Sequence, residues 1–256
     1  MQQGSPTLMR TVVAAAAGLS LLALLSLPVS ARRDPWPQYT NIAPLPGGGG
    51  VALNSEGRLD GHGAAQINIP VAYTPRWGYV QLAGYAGNYS NEKDEEFGNG
   101  SGVFALGFFG KPRVYMSGMQ VSRHWDEAKV LSGQISVVDE TEGVPAVAVG
   151  IQDMLEKEED SRSLYLVATK QFSLGGRTMF GSAGFGNGRF LSRPFVGASA
   201  PLGDQINVVV EWDAFQLNVG ALWRPGGSHG SVTLLGGYNG QAGWLAGLAL
   251  AADFGK

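Results

Sequence analysis

From Gln205 to Arg224 apolar and polar positions largely alternate along the chain. Ile206, Val208, Val210 and Trp212 fall on one side of an extended segment, with Gln205, Asn207, Val209, Glu211 and Asp213 on the other. After a break at Ala214 and Phe215 the alternation resumes, setting Leu217, Val219, Ala221 and Trp223 against Gln216, Asn218, Gly220 and Arg224. Successive side chains of an extended chain point to opposite sides, so a period of two predicts strands with two unlike faces. The last such segment places Trp244, Ala246, Leu248, Leu250, Ala252 and Phe254 opposite Leu245, Gly247, Ala249, Ala251 and Asp253.

Segments of this kind fill the chain. Strands are predicted over 50–55, 64–73, 78–89, 101–110, 113–123, 129–138, 145–153, 163–172, 177–186, 192–201, 205–213, 216–224, 231–238 and 243–254. Compact turns at Thr74 to Trp77, Lys111-Pro112, Leu174 to Gly176, Leu202 to Asp204 and Pro225 to Gly227 alternate with longer joins. Those joins are Asn91 to Asn99, His124 to Ala128, Met154 to Arg162 and Asn187 to Leu191. Short turns on one side and longer loops on the other are the habit of transmembrane barrels. The expected fold is therefore all-β: a single antiparallel transmembrane β-barrel of about fourteen strands, with twelve as the alternative.

The beginning of the chain needs separate treatment. Arg10, an apolar run from Thr11 to Val29 and the small residues Val29-Ser30-Ala31 read as a signal peptide over 1–31, against the alternative of an uncleaved anchor helix. Residues 32–50, with Pro35, Pro37, Pro44, Pro46 and a run of four glycines, read as an irregular periplasmic lead-in, leaving 51–256 as the barrel. The chain has no cysteine among its 256 residues, which excludes disulfides, thiolate metal sites and a lipoprotein anchor. A net charge of −3 offers no general attraction to nucleic acid. Mean hydropathy is zero, as expected where only one face of each strand is apolar.

Aromatic residues cluster near the predicted strand ends. Tyr73, Trp77, Tyr79, Phe108, Phe109, Tyr115, Trp125, Trp212, Trp223 and Trp244 are expected to form girdles at the membrane interfaces, the alternative being the core aromatics of a soluble sandwich. Ser122, His124 and Asp126 form the one tight group with the residue types of a hydrolase, but one strand side cannot by itself build a triad, so no catalytic residues are assigned. The acidic runs Glu92 to Glu96 and Glu156 to Asp160 lack the glycine and spacing of a calcium loop, and neither a metal nor a cofactor is expected. What remains is a polar inner face, expected to comprise Gln66, Asn68, Lys170, Asn207, Glu211, Asp213, Asn218 and Arg224. Such residues either line a water-filled path or pair with one another in a plugged interior.

Ile67 to Gly78 (INIPVAYTPRWG), Val144 to Met154 with Leu164 to Phe172, and Pro201 to Asp213 with Leu217 to Pro225 together resemble the YjbH-type outer-membrane barrel family. The resemblance implies a link to exopolysaccharide export. With the strand pattern it leads to the expectation of a non-enzymatic, porin-like barrel in the bacterial outer membrane that provides or supports passage. Its expected partners are membrane lipid, the barrel assembly machinery, and polysaccharide or small polar solutes. An exported soluble β-sandwich or lipocalin-like binder and a lipid-modifying barrel enzyme are the alternatives.

Overall fold

The computed structural model describes residues 45–87, 100–121, 129–155, 162–227, 231–240 and 243–255. The expected signal peptide, most of the lead-in, Trp125, the Ser122, His124 and Asp126 group and both acidic runs lie outside them. Twelve antiparallel strands close into one barrel. They are β1 (Tyr79–Gly87), β2 (Gly100–Phe108), β3 (Val114–Val121), β4 (Lys129–Val138), β5 (Ala146–Gln152), β6 (Ser163–Leu174), β7 (Arg177–Gly186), β8 (Arg193–Pro201), β9 (Ile206–Trp212), β10 (Leu217–Trp223), β11 (Val232–Asn239) and β12 (Gly243–Asp253). Every strand pairs with its sequence neighbours, and β12 returns to β1 with Tyr79 opposite Asp253 and Gly87 opposite Leu245. Closure leaves no free edge, which removes the usual route to edge-to-edge aggregation. Among the described residues no helix is long and apolar enough to cross a membrane.

Antiparallel order assigns each connection to one of two ends. The turns after β2, β6, β8 and β10, which include Lys111-Pro112, Gly175-Gly176, Gly203 and Pro225, lie at the end where β1 begins and β12 finishes. The joins after β1, β3, β5 and β7 lie at the opposite end. We refer to these as the turn end and the loop end; the division is not strictly by length, since the 213–216 join at the loop end is shorter than the 139–145 join at the turn end.

The wall has the alternation expected of β9 and β10. Asn207, Val209 and Glu211 are buried while Ile206 and Val210 are exposed; Asn218 and Leu222 are buried while Leu217, Val219 and Trp223 are exposed. On the outer face stand Leu82, Phe104, Leu164, Leu166, Phe185 and Leu248, each about half exposed, with Leu250 beside them.

The strand count departs from fourteen because the first two predicted strands do not join the wall. Residues 45–75 form a plug: 45–53 and 63–75 run inside the barrel and 54–62 turn at its mouth. Ile67, Ile69, Val71 and Tyr73 on one side of this segment and Gln66, Asn68 and Ala72 on the other are all buried. Pro70 lacks an N–H and would have left a gap in any ladder through this stretch. The plug instead carries its own bonds: Gly49 N–H donates to the Ile67 carbonyl at 3.0 Å, Gly50 N–H to Gln66 at 2.9 Å, Gln66 N–H to Gly47 at 2.8 Å and Val71 N–H to Pro46 at 2.9 Å. Leu53 bridges to both Leu59 and Ala64. The hydrophobic core thus lies between the plug and the inner wall.

The aromatics divide in the same way. Trp77, Phe109, Trp223, Trp244 and Phe254 are exposed, with Tyr238 packed edge-on against Trp244 at a ring separation of 5.6 Å. Tyr73, Tyr79 and Tyr115 are corrections to the girdle expectation, since all three are buried inside. Their strand-end position is right, but Tyr79 and Tyr115 have the inward parity of β1 and β3, and Tyr73 belongs to the plug.

Candidate functional site

The part of the molecule with concentrated polar chemistry is the contact between plug and wall. Extended backbone carried through a barrel interior cannot satisfy its N–H and C=O groups from water, so partners have to be supplied. The inner wall supplies them as side chains. Ser199 Oγ accepts the Ala65 N–H at 3.1 Å and Thr169 Oγ1 accepts the Ala72 N–H at 2.8 Å. Gln134 donates from Nε2 to the Val71 carbonyl at 3.0 Å and to Thr74 Oγ1 at 2.8 Å, while its Oε1 accepts the Tyr165 hydroxyl at 2.9 Å. Tyr85 donates to the Gly49 carbonyl at 3.2 Å, and Asn207 Nδ2 to Gly63 at 3.3 Å.

Glu211 stands at the centre of this contact. Its Oε2 accepts the Ile67 N–H at 2.8 Å, and its Oε1 accepts the Asn68 N–H at 2.6 Å and Asn218 Nδ2 at 2.9 Å. Two successive backbone N–H groups turned to one carboxylate make an anion-binding concavity. The wall is shaped to let the plug come this close: a Cβ on Gly197 would lie 2.6 Å from Gln66 Oε1, 2.8 Å from Ile69 Cδ1 and 2.9 Å from Glu211 Cβ.

Asp213, just beyond β9 at the loop end, closes the β9 to β10 connection. Its carboxylate accepts the Gln216 N–H, Gln216 Nε2 and Asn218 Nδ2, each within 3.1 Å. Burial pushes the Asp213 carboxyl above the ordinary aspartate range, with Arg189 and these hydrogen bonds pulling the other way. At the turn end Arg224 donates from Nη1 to the Gly61 carbonyl at 2.7 Å, and burial lowers its guanidinium pKa while Asp60 opposes the shift. His62 lies at the same mouth, with Nε2 3.3 Å from Asp204.

Of the polar residues singled out from sequence, Glu211, Asp213 and Asn218 form one hydrogen-bonded group, while Asn207 and Arg224 contact the plug nearer the turn end. Gln66 and Asn68 are buried too, but as plug residues rather than wall residues. Lys170 is a correction. Thr169 is the inward position of β6, where it meets Ser182 of β7 at 2.9 Å, so Lys170 has the outward parity and reaches Glu140 at 3.0 Å. Glu140 also accepts the Tyr73 hydroxyl, tying the plug to the turn after β4. Ser199, Thr169, Gln134 and Tyr85, not among the residues expected from sequence, share the inward parity of their strands. That parity was the available signal.

On the outside, Met116, Gly133, Ile135, Ile151, Leu164 and Phe185 line an apolar groove of about 730 Å³. Gln134 and Tyr165, which belong to the plug contact, lie along its inner side. No family model matches the chain, and no curated protein matches it.

Proposed function

We propose that this protein is a non-enzymatic barrel of the bacterial outer membrane that supports passage across it and is closed at rest by its own residues 45–75. The observation that carries the reading is the inverted distribution of polarity. Large apolar side chains such as Leu164, Leu166 and Phe185 point away from the barrel, and Glu211, Asn218, Asn207 and Gln134 are enclosed. A barrel built for water would expose its polar side chains, whereas a bilayer requires the apolar ones outside. Exposed Trp77, Phe109 and Phe254 near the turn end and Trp244 near the loop end suit two interfacial belts. A lipocalin-like carrier is less well supported, since the space a ligand would fill holds the plug.

The resemblance to the YjbH-type family extends the proposal to exopolysaccharide export. An inner wall rich in amides, hydroxyls and carboxylates is chemically suited to a polyhydroxylated chain. Deleting the gene should lower the amount of secreted polysaccharide, and unchanged secretion would remove that part of the proposal. The membrane reading is tested by fractionating cells and running unheated and boiled samples on a gel. Recovery with outer membranes and a heat-dependent shift in migration are expected; recovery in soluble form without detergent would contradict it.

A further inference from the structure

We propose that the plug is a gate rather than a permanent filling, and that Glu211 is its latch. The inference deepens the reading of a resting, closed barrel and rests on it. Three observations carry it. First, the plug meets the inner wall through side chains: wall side chains hydrogen-bond plug groups, apolar side chains pack between the two, and among the described residues no wall strand pairs with it. The ladders of β8, β9 and β10 run unbroken past Glu211, from Gly197 opposite Glu211 to Asn218 opposite Glu211. Withdrawing the plug would therefore break no wall ladder.

Second, the plug is bonded to itself. The pairs between 47–50 and 66–67, together with the Leu53 to Ala64 bridge, tie it together independently of the wall. Third, Glu211 is suited to two states. Its described hydrogen bonds all come from uncharged amides, namely Ile67, Asn68 and Asn218. A buried carboxylate held this way is tolerable while its donors stay in place and becomes costly once they leave, unless water replaces them. In a lumen opened by withdrawal of the plug, water would do so. An apolar residue at this position would hold the plug by packing alone and gain nothing from opening.

Hydrogen exchange of the detergent-solubilised protein tests the proposal. The amides of Ala65, Ile67, Asn68 and Ala72 should exchange with a common rate, faster than those of β9 and β10. In Glu211→Ala all four should accelerate together by about tenfold or more, the wall amides staying as they were; this is the scale expected from losing hydrogen bonds to a charged acceptor. Acceleration confined to Ile67 and Asn68, or none, would show a local contact and overturn the gate. Because the chain has no cysteine, the pair Ala65→Cys with Ser199→Cys gives a second route. Oxidation should slow exchange at Ile67 and Ala72 and reduction should restore it, while unchanged exchange would also overturn the proposal. If the protein proved soluble without detergent, the membrane reading would fail on that ground, and the exchange pattern would still decide the gate.

Discussion

At the scale of single residues, one position on β9 separates two environments from the next. Val210 faces outward and Glu211 inward, one peptide apart. A lipid-facing Arg near the bilayer midplane costs about 2–4 kcal/mol. Val210→Arg should therefore lower the free energy of unfolding in lipid vesicles by that amount, as read by urea titration, whereas Asn207→Ala should leave the wall intact. Asp213 gives a pH signature. Burial raises its folded-state pKa, so the folded protein holds a proton that the unfolded chain releases first. Folding is then weakened progressively as pH rises from the ordinary aspartate value, about 3.9, through the higher folded one. Asp213→Asn should remove this component, and the stability of wild type relative to the variant should fall with rising pH in melts taken between about pH 4 and 8.

At the scale of elements, the period-two pattern located all twelve wall strands with boundaries that differ from the observed ones by at most a few residues. It failed at 50–55 and 64–73, for a physical reason. Alternation of side chains is a property of any extended backbone, whereas a wall strand also needs an unbroken set of N–H donors and one face fit for the outside. Pro70, and the burial of Gln66 and Asn68 on the side opposite Ile67 and Ile69, mark a segment enclosed on both faces. Only the first of these was visible in the sequence. The inward set on β9 and β10 was legible because its polar residues stand beside apolar neighbours of opposite parity. Ser199 and Thr169 were not, since small hydroxyl residues suit either face. Gly197 tests the fit between the elements. A Leu there would intrude on Gln66, Ile69 and Glu211, and overpacking of this kind costs about 1–3 kcal/mol. Gly197→Leu should lower the melting temperature and loosen the plug amides before those of the wall.

For the whole molecule, closure of the sheet and occupation of its interior are two separable facts with different consequences. The closed, outwardly apolar wall fits a bilayer. The plug, held by Glu211, Ser199, Thr169, Gln134 and Asn207, fits a lumen that does not conduct at rest. Of the inner charges, Glu211 and Arg224 are engaged with the plug in this state and would meet solutes only after its release. Conductance across a planar bilayer, compared between the wild-type protein and a variant lacking residues 45–75, tests this most directly. The account predicts a wild type that inserts but is almost silent and a deletion variant with steady, stepwise conductance. A wild type that conducts as freely as the variant would contradict it.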